Sequence, residues 1–132
     1  MHLCYLGIVK KLLKLYCYGI KNHRPLFSWR QKHEANAEII RCNRFLPCQF
    51  QRRPRILDNV KHYKATESRT MLLYFGPYIF RKCLNEAQYL HFLHLHVVMT
   101  ILSASNCQHL LGVCDVLINN FLSMSVYCFP NR

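Results

Sequence analysis

The amino-acid sequence predicts a small, mainly α-helical protein with loosely specified packing. Three observations carry this prediction. Amphipathic periodicity runs through the first twenty residues, a helix-capping pattern occurs at 28–31 and again at 85–88, and residues 87–129 contain a single formal charge, Asp115. A chain of 132 residues has the length of one domain. We therefore expect short helices, a C-terminal helical hairpin and a basic middle segment of poor order.

The charge of the chain is strongly uneven. Its 18 Lys and Arg and 6 Asp and Glu give a formal net charge of +12. Residues 1–82 hold 17 of the basic and 4 of the acidic residues, a net of +13, whereas residues 83–132 have a net of −1. The asymmetry predicts a basic amphipathic and linker region, 1–82, and an apolar region, 83–132, that enters a membrane or forms a soluble core. Such a basic balance favours acidic partners, an anionic membrane surface first and non-specific nucleic acid second.

The first twenty residues form an amphipathic helix when they are placed at roughly 100° per residue. Lys10, Lys11, Lys14 and Lys21 fall within one narrow arc, and apolar residues fill the opposite side. Three interpretations are open: a helix lying in a membrane interface with its lysines toward the headgroups, a mitochondrial-type targeting segment, and a surface helix packed on a core. The apolar stretch before Lys10 is too short for a secretory signal, so we expect the chain not to be secreted.

The second helix is predicted from Trp29 to Asn43. Pro25 separates it from the first helix. Ser28, followed three residues later by Gln31, matches a capping box, in which the two side chains satisfy the first free N–H groups of a helix. Pro47 cannot continue a helix and therefore limits the segment on its C-terminal side.

Residues 44–64 are the most basic part of the chain. Six Lys and Arg are interleaved with the aromatic residues Phe45, Phe50 and Tyr63. Two prolines interrupt regular structure, so the segment is predicted to be a solvated, partly disordered linker. The alternative is that residues 41–64 bind nucleic acid, with basic side chains on the phosphate backbone and aromatic rings stacked on bases. No recognised nucleic-acid-binding motif occurs, which makes any such binding non-specific.

Two breaks precede the apolar C-terminal region. The short apolar run Met71–Phe75 is followed by Gly76-Pro77, which predicts a turn. Asn85 and Gln88 then repeat the capping pattern and predict a helix that begins near Glu86.

The C-terminal region divides into two apolar stretches, 87–105 and 110–129, joined by the polar residues 106–109. Each is close to the roughly 20 residues that cross a bilayer, and the flanking positive charges lie on one side. These features predict a transmembrane hairpin with both ends in the cytoplasm, whereas a soluble helix pair explains the same pattern. Asp115 opposes insertion, because a charge costs about 2.5–3.5 kcal/mol near the centre of a membrane helix.

Three histidines lie within six residues in the stretch HFLHLHVVM, at His91, His94 and His96. On a helix His91 and His94 share a face and His96 lies nearly opposite, so no regular element aims all three at one ion. The eight cysteines include no C-x-x-C pair, and the nearest groupings of Cys with His are irregularly spaced. No metal-ligating residue is therefore assigned, and the cysteines are expected to be free thiols in a reducing compartment.

The sequence carries no motif for catalysis. There is no Gly-rich phosphate loop, no G-x-S-x-G and no paired carboxylates, so we assign no catalytic or cofactor-binding residue, no cofactor and no small-molecule substrate. The expected function is that of a non-enzymatic, membrane-associated protein, with nucleic-acid association through residues 41–64 as the alternative. A third alternative is compositional: Ala, Gly, Val, Asp and Glu make up only 22 of 132 residues, a bias typical of a translated non-coding reading frame.

Overall fold

The computed structural model describes residues 2–19, 24–50 and 52–128. These residues form helices and connecting segments, and no strand occurs among them, so the predicted mainly α-helical class is confirmed. The chain divides into two compact units, Met1–Cys83 (unit 1) and Leu84–Arg132 (unit 2). Each unit has its own pattern of buried residues.

Helix α1 covers residues 2–18 of unit 1. It consists of an α-helical start, His2–Cys4, a π-helical turn, Tyr5–Val9, and an α-helix, Lys10–Tyr18. Residues on its apolar side are buried in the core of the unit, namely Tyr5, Val9, Leu12, Leu13, Leu15 and Tyr16. The amphipathic helix predicted for this region is thus present, and the rest of unit 1 covers most of its apolar face, whereas Ile8 is exposed. Residues 20–23, with the predicted Lys21, lie outside the described residues.

Helix α2, Trp29–Asn43, begins with the predicted capping box. The Ser28 hydroxyl oxygen accepts from the Gln31 N–H at 3.2 Å, and the Ser28 N–H donates to the Gln31 side-chain oxygen at 2.9 Å. This confirms a prediction that depended only on local sequence, because both partners lie within one turn. Ala35 and Ile39 are the fully buried residues of the helix and face the core of unit 1.

Residues 44–50 and 52–56 of the basic middle segment form turns and loops, in line with the prediction, but the rest of the segment is more ordered than its charge and prolines predicted. Residues Leu57–His62 form a 3-10 helix, and Leu57, Val60 and Tyr63 are buried. A spacing of three residues aligns side chains on one face of a 3-10 helix, which has three residues per turn. The Leu57 N–H also donates to the Asn36 side chain of α2 at 2.8 Å. This stretch is ordered because one face of the 3-10 helix buries apolar side chains while its charged side chains stay exposed on the other face.

Helix α3 covers residues 65–83 and passes through the predicted turn at Gly76-Pro77. It is built from Ala65–Thr70, a π-helical turn at Met71–Phe75, and Gly76–Cys83. The Gly76 N–H bonds to the carbonyl of Met71, five residues earlier, and so widens the helix just before the proline. Because a proline has no N–H to place in the helical ladder, a widened turn accommodates it without ending the helix.

The core of unit 1 contains a cluster of three aromatic rings. Tyr16 of α1, Phe80 of α3 and Phe27 of the connecting segment have ring centroids 5.5–5.7 Å apart. Such tilted and edge-to-face pairs stabilise a core beyond the area that they bury. This cluster packs the C-terminal end of α3 against α1.

Unit 2 is the helical hairpin predicted for the C-terminal region. Helix α4, Glu86–Ser103, begins with the second predicted capping box, and α5 spans Leu111–Cys128 after a short 3-10 turn, Gln108–Leu110. None of the helices in the described residues combines the length and apolar character needed to cross a membrane. The predicted transmembrane helices are thus unsupported: histidines in α4, and Asp115 with Asn119 and Asn120 in α5, dilute the apolar sequence.

Candidate nucleic-acid interface

A groove of about 300 Å³ opens in unit 1 between the chain that follows α2 and the first turns of α3. Its size is at the lower end of small-molecule sites, about 300–1,000 Å³, and so suits one nucleotide-sized group. We call it the two-arginine groove. It is lined by Gln49, Phe50, Arg52, Thr66, Arg69 and Thr70.

The two sides of this groove are held together by a bidentate ion pair between Arg55 and Glu67. The Arg55 Nε atom lies 2.8 Å from one Glu67 oxygen, and the Arg55 Nη2 atom lies 2.9 Å from the other. The Glu67 side chain is fully buried, whereas that of Arg55 is 41% exposed. Paired, fork-to-fork hydrogen bonds are among the strongest polar contacts in proteins. The pair therefore fixes the chain carrying Arg52 against the helix carrying Arg69.

Glu67 also organises the backbone around the groove. Its carboxylate accepts from the Lys64 N–H at 2.8 Å, which caps α3, and from the Arg55 N–H at 3.3 Å. Burial by itself would raise the pKa of Glu67, but the hydrogen bonds from Arg55 and from these N–H groups outweigh it, so the pKa lies below its ordinary value. Glu67 is thus a buried carboxylate in its charged form.

The arginines of the groove carry uncompensated charge. Three of the four acids in unit 1 have ion-pair partners: Glu67 pairs with Arg55, Glu38 lies 2.7 Å from Arg41, and Asp58 lies 2.9 Å from Lys32. Neither arginine lining the groove has a carboxylate at ion-pair distance within the part of the chain that the structure describes. Two guanidinium groups with no carboxylate partner among the described residues are available for an anion, and Arg matches phosphate geometry with paired donors.

An aromatic ring forms part of the groove wall. Phe50 is half-buried, and its ring meets the exposed Tyr74 ring edge to face, with centroids 5.4 Å apart. A turn holds Phe50 in place, because its N–H donates to the Pro47 carbonyl at 3.1 Å. The lining of the groove therefore combines the Phe50 ring with the two arginines. Hydroxyl groups complete the lining: the Thr70 hydroxyl donates to the Thr66 carbonyl at 3.0 Å, which leaves its oxygen as an acceptor.

The sequence alone indicated half of this groove. Residues 41–64 contribute Gln49, Phe50 and Arg52, whereas Thr66, Arg69 and Thr70 come from α3 and were missed. Their spacing, three and four residues apart, is that of one helix face and was the available signal. Other basic residues of 41–64 have internal roles: the Lys61 ammonium lies 4.7 Å from the centre of the Tyr18 ring, for example.

The three histidines that stand close together in the sequence lie on α4 of unit 2. His91 is buried, its Nε2 atom is 2.9 Å from the Ser125 hydroxyl of α5, and its ring stacks on Phe121 with centroids 4.1 Å apart. Burial, partly offset by a backbone hydrogen bond, lowers the pKa of His91 to about 4. His94 bonds to the Leu90 carbonyl at 2.7 Å. His91 thus has a packing role between the two helices of the hairpin.

Within the described residues no group of three His, Cys, Asp or Glu side chains is arranged to hold a metal ion. The cysteines whose side chains are described are all free thiols, and Cys17, Cys83 and Cys114 are buried. Burial raises the pKa of Cys17 to about 12 and that of Cys83 to about 11. These three side chains accordingly behave as small apolar residues.

Comparisons with known proteins add no family to this description. No protein-family model matches the chain, and neither a curated protein nor a solved structure matches it.

Proposed function

We propose that the protein is a non-enzymatic binder of single-stranded nucleic acid and that the two-arginine groove holds a backbone phosphate with its adjacent base. The observation that carries the proposal is the juxtaposition of Arg52 and Arg69, neither with a carboxylate partner in the described part of the chain, with the half-buried ring of Phe50. Phosphate neutralisation and base stacking are the two contacts that single-strand binders combine.

The chemistry of the groove favours binding without sequence preference. Arginine contacts to phosphate carry no sequence information, and every base has a face that can stack on a phenyl ring. The Gln49 amide and the Thr66 hydroxyl supply hydrogen bonds to sugar or phosphate oxygens. The net charge of +13 over residues 1–82 adds long-range attraction that salt screens.

The double substitution Arg52→Ala with Arg69→Ala tests this proposal. Fluorescence anisotropy with a labelled single-stranded oligonucleotide, measured over a salt series, should show binding at least about tenfold weaker at low salt. The slope of log K against log salt should fall by about 0.7, because the groove holds one phosphate and each lost phosphate contact removes about 0.7 for a single strand.

The matched control is Arg24→Ala with Arg30→Ala. Both residues are exposed, neither lines the groove, and the pair changes the net charge of unit 1 by the same amount. We expect the control to reduce affinity and slope much less than the groove variant. Equal losses in the two double variants would show that overall charge, not the groove, binds the nucleic acid.

Membrane association of unit 2 is the second candidate. It is favoured by the exposed apolar side chains of α5, among them Leu111, Val116 and Leu122, each half or more exposed. Asp115 lies on the same helix stripe as Leu111 and Leu122, at spacings of four and seven residues. An apolar stripe interrupted by one charge is suited to partial contact with a membrane surface and gains from removal of that charge.

Asp115→Leu should increase the fraction of the protein that floats with lipid vesicles on a density gradient. A charged residue costs about 2.5–3.5 kcal/mol at the centre of a membrane helix and less at the interface, so we expect a several-fold increase. Asp115→Asn separates the loss of charge from the gain of apolar surface and should show a smaller effect. Sedimentation of the Leu variant without flotation would indicate aggregation through an exposed apolar patch and would contradict membrane association.

A further inference from the structure

A second cavity of about 390 Å³ lies along α1, on the side of the helix away from its buried residues. We call it the lysine groove. Its lining combines small and aliphatic residues with three lysines, whose side chains we call the rim, and it shares no lining residue with the two-arginine groove. It is lined by Leu6, Gly7, Ile8, Lys10, Lys11 and Lys14.

The π-helical turn Tyr5–Val9 shapes this cavity. The Lys10 N–H bonds to the Tyr5 carbonyl, five residues earlier, so the helix is wider here than a regular α-helix. Such turns are frequent at functional sites. Gly7 lies at the widened turn, and a Cβ atom built on it would meet no atom within 4 Å. The absence of a side chain at Gly7 therefore leaves open space that a ligand can occupy.

The charge at the rim is fixed in position and is not neutralised internally. The Lys10 ammonium donates to the Tyr63 carbonyl at 3.2 Å, which anchors it beside the cavity. Burial and the charges of Lys14, Lys64 and Arg55 lower the pKa of Lys10, and the charge of Glu67 opposes them in part. None of the lysines at the rim forms an ion pair with a carboxylate among the described residues.

Exposed aliphatic side chains border the same cavity. Leu3 is 85% exposed and precedes Gly7 by four residues, about one helical turn, and Ile8 is 49% exposed. Lysine ammonium groups bind phosphates as point charges, and aliphatic side chains next to them enter the boundary between headgroups and acyl chains. An amphiphilic anion matches this arrangement better than a free ion does, because it satisfies both the cations and the exposed aliphatic groups.

We propose that the lysine groove binds the phosphate headgroup of an anionic lipid at a membrane surface, with Leu3 and Ile8 entering the interface. Charge complementarity identifies the occupant, since three lysines line the cavity, and the adjoining exposed aliphatic side chains favour a lipid. The proposal uses residues different from those of the two-arginine groove. An experiment can therefore contradict either proposal without contradicting the other.

Gly7→Glu is the sharpest test, because it places a carboxylate among the three lysines at a position where the fold has room. Co-flotation of the full chain with vesicles of phosphatidylcholine plus phosphatidylserine should become about five- to tenfold weaker. Each cation near such a surface raises the binding affinity about fivefold, and the new carboxylate offsets one of them. Vesicles of phosphatidylcholine alone should bind weakly and equally for all variants. Lys11→Gln with Lys14→Gln, which leaves the bonded Lys10 in place, should reduce binding by about 25-fold.

Gly112→Glu is the matched control. Gly112 lies on α5, is exposed, also has nothing within 4 Å of a built Cβ, and gives the same change of residue and charge. It should leave vesicle binding within about twofold of the wild type, because it changes none of the residues that line the lysine groove. Equal weakening by Gly7→Glu and Gly112→Glu would overturn the proposal in favour of diffuse charge.

Two further outcomes bear on the identity of the ligand. If inorganic phosphate at physiological salt displaces the protein from the vesicles, the groove prefers a free anion and the lipid assignment is wrong. If Lys11→Gln with Lys14→Gln weakens binding to single-stranded DNA but leaves vesicle binding unchanged, the groove belongs to a nucleic-acid surface and the proposal is likewise overturned. Far-ultraviolet circular dichroism of each variant checks that the helices are retained.

Discussion

Glu67→Ala is expected to lower the free energy of unfolding of the protein by about 3 kcal/mol. Breaking a buried ion pair by removing one partner costs about 3–5 kcal/mol. The value should lie at the lower end, because Arg55 is 41% exposed and can be hydrated again once its partner is gone. The carboxylate that is removed accepts two bonds from Arg55 side-chain groups and two from backbone N–H groups, so the cap of α3 is lost as well.

Urea denaturation followed by far-ultraviolet circular dichroism measures this loss, and Glu38→Ala is the control. Glu38 is also an acid of unit 1 with two cationic neighbours, Arg41 and Lys82, but those side chains are more than half exposed. Exposed ion pairs contribute little, so the control should have a small effect. A Glu67→Ala variant no less stable than Glu38→Ala would show that the buried pair does not anchor unit 1.

The same pair makes the stability of unit 1 depend on pH in a defined direction. Since the folded pKa of Glu67 lies below its ordinary value of 4.5, the unfolded chain binds the proton more readily. The contribution of Glu67 is therefore fully present above pH 4.5 and is lost as the pH falls through the folded pKa. Glu67→Ala should remove this part of the acid dependence. It should also weaken binding in the two-arginine groove, because the sides carrying Arg52 and Arg69 are no longer joined.

Protonation of His91 is expected to destabilise the hairpin of unit 2 by roughly 3 kcal/mol. The folded pKa of about 4 lies below the ordinary value of 6.5, and each pH unit between the two corresponds to about 1.4 kcal/mol. The unfolded chain binds the proton more readily over this range. The stability of the hairpin is therefore fully present above pH 6.5 and decreases as the pH falls from 6.5 to 4.

Hydrogen exchange of peptides from α4 and α5, compared between variants at each pH, measures this dependence in unit 2. His91→Gln keeps a partner for the Ser125 hydroxyl but does not titrate, so its protection should change much less between pH 6.5 and 4. The exposed His109 lies in the same unit, and His109→Gln should keep the dependence of the wild type. A wild-type hairpin whose protection is constant over this range would contradict the assigned burial of His91.

The sequence predicted those features whose partners are neighbours along the chain. The capping boxes at Ser28 and Asn85 bond across three residues, and both are present with the expected partners. The apolar face of α1 was identified from periodicity alone. The sequence did not decide what packs against that face, because periodicity indicates which residues avoid water and not whether protein or lipid covers them.

Features that depend on distant contacts were not predictable in this way. In the sequence nothing distinguishes Glu67 from an ordinary acid in the first turn of a helix. Only the folded chain shows that Arg55, twelve residues away, forms an ion pair with it. Its pairing, together with the buried face of Leu57, Val60 and Tyr63, orders a segment that was expected to be a loose linker. His91 likewise meets Ser125 across 34 residues. In each case tertiary packing decides the outcome over local composition.

The most direct test of the two-arginine groove is photo-crosslinking of the wild-type protein to a single-stranded DNA oligomer that carries bromodeoxyuridine, followed by peptide mapping. Base stacking on Phe50 predicts a crosslink at Phe50 or at its neighbour Tyr74, lost in Phe50→Leu and retained in Phe45→Leu, whose ring is 81% exposed and lies outside the groove. Crosslinks that map to Phe45 or to residues beyond the groove, with a yield unaffected by Phe50→Leu, would contradict the assignment of this groove as the nucleic-acid interface.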